Sequence, residues 1–356
     1  MFFYGICLFV LMIISVGIII GDNKGKKERY LEKTITDAFK GSAAILIVCS
    51  HIASQVMNSV FIPYQSIPIR FVSGFGAAGV ALFFWYSGYF NTLSLNKIKG
   101  VNGIFRWVLK RIISIYSIFI ISFILVETVA VIFFHIEISA KEVVLNILTL
   151  TIPGTTTWYI KIQLIYYIVM AIAKVLADKR LGIICIISIA SACTSVAFAL
   201  IDNTWWNGYT GLVFPFAVFL ALYQKEAYKC VNYIRVINMK IVFIVLCVAS
   251  YCFTVLNRGG YIIQNIAYIL FTTSLVTLSS LFPEKYAKIF GPAGVASLAL
   301  YLVHIGFVKI FSAHGYTTVN LILFSFGVIV ATWVVHVSSQ HVINHLSKLL
   351  FVKSRG

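Results

Sequence analysis

Two histidines stand in uncharged stretches where a polar side chain has few partners. His51 lies in TITDAFKGSAAILIVCSHIASQVM, 11 residues beyond Lys40 (51 − 40), a distance of about 16 Å along a helix rising 1.5 Å per residue. His304 lies in GPAGVASLALYLVHIGFV, ten residues beyond Gly294 (304 − 294), or about 15 Å along its own helix. An imidazole titrates near neutrality and can take a proton from a hydroxyl, the work of a general base. It can also attack as a nucleophile, and the sequence leaves these two roles open. Each ring is equally readable as a neutral structural histidine bonded to a neighbouring helix. Near them stand groups that could assist. Asp37 precedes Lys40 by three residues, so it shares that helix face one turn away and orients the cation. Tyr301 is one turn before His304 and, with it, can donate to a developing oxyanion or position an acceptor. His336, His341 and His345, and likewise His135 and His314, fall at the ends of apolar stretches and are read as structural.

A second motif looks chemical and is not. GFGAAGVALFFWYSGY, from Gly74 to Tyr89, has the G-x-G-x-x-G spacing of a dinucleotide-binding loop. That loop needs an acidic residue about 20 positions on to hold a ribose. The first acidic residue after Gly79 is Glu127, so these glycines are read as points where helices pack closely. In the same stretch Ser87 and Gly88 either let helices approach or, for Ser87, add a donor.

The elements that must position these groups follow from composition. The chain has 356 residues, 60% of them hydrophobic and 11% charged, with a mean hydropathy of +0.96. Apolar windows long enough to cross roughly 30 Å of hydrocarbon recur along its length. The expected fold is an all-α, polytopic membrane helix bundle of eleven spans: 3–21, 41–60, 76–94, 109–131, 158–176, 182–201, 209–223, 241–257, 262–282, 295–312 and 319–340. With the amino terminus outside and the carboxyl terminus inside, only Arg70, Lys141, Lys161, Arg258 and Lys309 of the 28 basic residues fall outside, leaving 23 inside, as retention of cations on the cytoplasmic side requires. The first span has its positive cluster, KGKKER, after the apolar run, so an uncleaved anchor is expected rather than a signal peptide. The formal charge of +17 is thereby a topological signal spread over one membrane face, and no nucleic-acid partner is expected. Six of the seven cysteines lie in expected spans, no CxxC occurs, and neither metal site nor disulfide framework is indicated. Trp158, Tyr159, Trp205 and Trp206 fall near the expected outer interface, where an aromatic belt is the first reading and stacking on a sugar the second.

Taken in order, DAFKG with His51, GVALFFWYSGY, FRWVLKRIISIY, WYIKIQLIYY and SLALYLVH resemble the blocks of the acyltransferase-3 family, integral membrane acyltransferases that modify bacterial surface polysaccharides and related acceptors. The resemblance covers roughly residues 34 to 312. Lys40 stands where the family has arginine, Ser114 where it has proline, and Val108 where it has the first arginine of a pair ending at Arg111. Lysine is a point charge without the bidentate fork of arginine. The span at 3–21 is additional to the family's usual ten, so residues 1–33 are expected to form an extra anchor and basic inner loop, and 34–356 the acyltransferase domain.

The resemblance implies transfer of an acyl group, acetyl first among the candidates, from cytoplasmic acyl-CoA to a hydroxyl of a surface polysaccharide or its lipid-linked precursor. Acyl-CoA would be a co-substrate, with no permanently bound cofactor. Lys40, Arg106, Lys110 and Arg111 would hold its phosphates. Its pantetheine arm, on the order of 15 to 20 Å, matches the helical depth of His51. Catalytic roles would fall to His51, Asp37 and His304, and acceptor contacts to Ser87, Trp158 and Tyr301. Membrane lipids surround it, and a bacterial plasma membrane is its expected place; oligomeric state is left open. The competing reading is a polysaccharide or lipid-linked sugar transporter, which would show internal repeats or matched broken helices; neither is found. A polyprenyl-dependent glycosyltransferase would want acidic residues at a sizeable outer loop, where only Glu127, Glu137, Glu142 and Asp202 are available.

Overall fold

The computed structural model describes residues 31–59, 67–135, 137–153, 157–201, 206–226, 240–256, 260–279, 282, 284–314 and 318–351. Among them are thirteen helices and no strand: α1 (Lys33–Ser59), α2 (Ile67–Asn96), α3 (Val101–Phe134), α4 (Ala140–Leu148), α5 (Trp158–Leu176), α6 (Arg180–Ile201), α7 (Trp206–Thr210), α8 (Val213–Leu222), α9 (Lys240–Leu256), α10 (Tyr261–Leu278), α11 (Glu284–Val295), α12 (Ser297–His314) and α13 (Thr318–Phe351). Seven of them carry apolar segments long enough to cross a membrane, and α11 with α12 makes an eighth, bent by 68°. The segments Gly208–Leu222 and Ile241–Leu256 are apolar but shorter. The chain is a polytopic helical membrane protein. The expected span at 3–21 lies outside the described residues.

Several boundaries differ from the apolar-run reading. α1 starts eight residues before position 41 (41 − 33) and includes Asp37 and Lys40. These charges meet each other, Nζ to Oδ1 at 3.6 Å, so the helix continues through them where a hydropathy rule stops. α2 likewise begins at Ile67 rather than 76. The expected seventh span is two helices, α7 and α8, separated by Gly211 and Leu212. Pro292 and Gly294 lie inside α11, and the chain bends after them rather than at them. The sequence reading found no broken helix, and this one has no matched counterpart among the described residues.

The glycines of α2 are packing points. A Cβ on Gly76 would sit 2.6 Å from Ser50 Oγ, and one on Gly79 2.7 Å from Ile47 Cγ1, which draws α1 against α2. The tightest crossing joins α1 to α11. A Cβ on Gly41 would lie 2.1 Å from the Phe290 carbonyl oxygen, and one on Gly294 1.6 Å from that of Asp37, so only hydrogen at both positions allows backbone to meet backbone. Ser42 and the Tyr286 hydroxyl, 2.6 Å apart, fasten the same pair. The core centres on α2, where Phe84 and Trp85 are wholly buried and the Phe84 ring touches Trp158, Tyr159, Tyr166 and Phe214 of α5 and α8.

α4 is a short surface helix opened by a capping box. Ser139 accepts from the Glu142 backbone N–H, and the Glu142 carboxylate accepts from the Ser139 backbone N–H at 2.9 Å. The Ser139 backbone N–H, then its hydroxyl, hold Glu142 below the usual carboxylate range. A depressed folded-state value means that the cap contributes at neutral pH and fades as acid protonates the group.

Candidate functional site

α1 and α12 bring the two histidines together. Their ring centroids are 5.0 Å apart, edge to face, although 253 positions (304 − 51) separate them in sequence. His304 is fully buried. Its Nδ1 lies 3.0 Å from the Leu300 carbonyl oxygen, which can only accept, so the proton of the neutral ring belongs on Nδ1. Nε2 is then a lone pair, buried and with no hydrogen-bond partner among the described residues. A neutral His304 therefore accepts at Nε2 and does not donate there.

His51 is part-exposed and lines a cavity of about 220 Å³ with Ser50, Ser54, Ser73, Thr210, Trp158 and Tyr301 among its walls. Ser50 donates to the Ile47 carbonyl at 2.8 Å and Ser54 to that of Ser50 at 2.9 Å, so these hydroxyls offer lone pairs to a guest. The backbone on either side of Thr210 is bonded by Asn265 on α10. The Asn265 carboxamide accepts from the Leu212 N–H at 2.8 Å and donates to the carbonyl oxygens of Tyr261, at 2.8 Å, and Gly208, bracketing the turn between α7 and α8.

At the end of α1 nearer Lys33, Lys40 packs 6.0 Å from the ring centroids of Tyr86 and Phe90 on α2 and is close enough to Arg111 of α3 to feel its charge. Arg111 lies over the Trp107 ring, 5.5 Å from its centroid, and Trp107 is fixed by donating to Ser94 Oγ at 3.0 Å. Asp37, Lys40 and Arg111 thus form one cluster at the basic end of the bundle. Arg106 and Lys110 occupy an exposed side of α3, one helical face away from it.

Two sequence assignments change. Trp158 and Tyr159, read first as an interfacial belt, are each only 9% exposed; Trp158 forms a wall of the His51 cavity, and Tyr159 stacks edge-on to Tyr301 at 5.5 Å. Trp205 lies outside the described residues. Ser87 does not line the cavity: its Oγ accepts from Asn91 Nδ2 at 2.9 Å one turn along α2, while a Cβ on adjacent Gly88 would meet the Phe214 carbonyl oxygen at 2.6 Å, so this pair serves packing. Glu142 is engaged by its cap rather than by chemistry. Ser50, Ser54, Ser73 and Thr210 escaped the sequence reading because single hydroxyls in apolar helices carry no spacing signal. Among the described residues no group of three or more His, Cys, Asp or Glu side chains could hold a metal ion.

Helices long and apolar enough to cross a membrane, packed about a histidine pair with a cavity beside His51, define a multi-pass helical membrane protein. Residues 35–338, well over half of the chain, match the acyltransferase domain of the acyltransferase-3 family, and the protein belongs to that family of membrane acyltransferases. No curated protein and no solved structure gives a significant match.

Proposed function

We propose that the protein moves an acyl group, acetyl in the first instance, from cytoplasmic acyl-CoA to a hydroxyl of a surface polysaccharide or its lipid-linked precursor, with His51 as the base. The observation that carries this reading is the meeting of His51, on the wall of a cavity that several hydroxyls line, with the buried His304 behind it at 5.0 Å, in a family of acyltransferases.

The acceptor hydroxyl occupies the cavity beside His51. His51 removes its proton as the oxygen attacks the thioester carbonyl, forming the new C–O bond and a tetrahedral oxyanion. The Tyr301 hydroxyl, on the same cavity wall, donates to that oxyanion. Collapse breaks the C–S bond, and the leaving thiolate recovers the proton from His51. His304, with its Nε2 lone pair, steadies the imidazolium while it lasts. Lys40 and Arg111 receive phosphates of the donor, with Asp37 orienting Lys40 at 3.6 Å; phosphate contacts from charged donors are the stronger class of hydrogen bond. Trp158 offers an apolar face to the acceptor.

The test is reconstituted transfer. Purified protein in lipid, supplied with labelled acetyl-CoA and the host's surface glycan, transfers label to glycan hydroxyls under this reading, and cells lacking the gene have glycan of lower acyl content. Unchanged acyl content by mass analysis sinks it.

A further inference from the structure

Gln163 of α5 is 3% exposed, yet neither its Nε2 nor its Oε1 has a hydrogen-bond partner among the described residues. A buried carboxamide left so is costly, because both a donor and an acceptor have lost water without replacement. It lines a second, smaller cavity of about 80 Å³ together with Tyr159, Tyr167, Ile115, Ser297 and Tyr301.

The place of this cavity suggests its guest. Tyr301 is common to it and to the His51 cavity, so the two meet at that ring. On the other side, Ile115 is one turn along α3 from Arg111, and the Tyr167 ring packs against Trp107 at 5.8 Å, the ring that carries Arg111. Going from the basic cluster to the histidines, one therefore meets Arg111, then Gln163, then Tyr301 and His51. The space is too small for a nucleotide and suits a stretch of thin chain.

The geometry points to Gln163 as the group that binds a secondary amide of the pantetheine arm. This rests on the acyl-CoA reading above. Pantetheine carries two such amides between its phosphate end and its sulfur, each with one N–H and one C=O. In a membrane interior neither can be left unpaired. A carboxamide is the side chain that supplies both the complementary acceptor and the complementary donor. Gln163 is a binding and positioning residue: it fixes how far the thioester advances past Tyr301.

The experiment uses the full chain in lipid nanodiscs, with CoA and adenosine 3′,5′-bisphosphate, the nucleotide part without the arm, as probes. For Gln163→Leu the Kd for CoA rises about tenfold, the scale of one or two lost hydrogen bonds, while the Kd for the bisphosphate is unchanged. Thermal stability of the unliganded variant stays level or rises, since an apolar isostere replaces an unpartnered amide. Equal CoA affinity in wild type and variant overturns the role of Gln163 and leaves the donor reading standing. A fall in stability with loss of both probes also overturns it, marking Gln163 as structural. A wild-type protein that binds neither probe overturns the donor reading itself.

Discussion

At the residue scale, the site separates groups that share a chemical type. Four cations were candidates for the donor's phosphates; Lys40 packs against the Tyr86 and Phe90 rings and Arg111 over that of Trp107, whereas Arg106 and Lys110 lie exposed. Arg111→Ala is expected to weaken CoA binding by about 1.5–3 kcal/mol, or about 10- to 100-fold, as for a hydrogen bond to a charged group; Arg106→Ala, on an exposed face, leaves it nearly unchanged. Equal effects of the two in a binding titration would show that the block acts as a diffuse field. For His51 the expected loss is larger. His51→Gln keeps a side chain that can hydrogen-bond but cannot take a proton at neutral pH, so transfer falls by about 10²- to 10⁴-fold with the melting temperature preserved. Retention of more than about a tenth of wild-type transfer would exclude His51 as the base. His304→Ala impairs transfer less, because a water can partly replace the Nε2 lone pair.

The elements hold these groups through a few close approaches. Asp37, Lys40 and His51 share α1, and α1 is set by its crossing with α11, where the Gly294 Cβ position lies 1.6 Å from the Asp37 carbonyl oxygen. Gly294→Ala cannot be absorbed by a side-chain rotation, because the obstacle is backbone. Its cost should reach or exceed the 1–3 kcal/mol typical of overpacking, and since the shift displaces Asp37 and Lys40, activity should fall together with melting temperature. A variant of wild-type stability would mean that the two helices are not in contact. α10 acts similarly on the other side: Asn265→Leu removes two hydrogen bonds to the segment around Thr210 and one within α10 and leaves part-buried backbone groups unpaired, at up to about 1–3 kcal/mol each, seen as a lower melting temperature.

For the whole molecule, the charge division implies an orientation. If the loop between α2 and α3 faces the cytoplasm, as 23 of 28 basic residues on one side require, a cysteine at position 99 in a cysteine-free chain will escape an impermeant reagent in intact cells and react after lysis. Labelling in intact cells would invert the bundle. It would also put Lys40 and Arg111 on the side without acyl-CoA.

By itself the sequence determined that the chain is a helical, multi-pass membrane protein, because hydrocarbon demands long apolar runs and these are written residue by residue. It also marked His51 and His304, since an ionisable group in such a run is conspicuous. Only the tertiary structure decided that the two rings meet, that Arg111 packs over Trp107 while Arg106 is exposed, that Trp158 is a cavity wall, and that Gln163 is buried without a partner among the described residues. The reason is physical. Hydropathy reports how far along a helix a residue lies, and thus its depth, but in an almost uniformly apolar helix it says little about which way the residue points. That angle is set by small residues such as Gly41, Gly79 and Gly294, whose contacts lie on other helices.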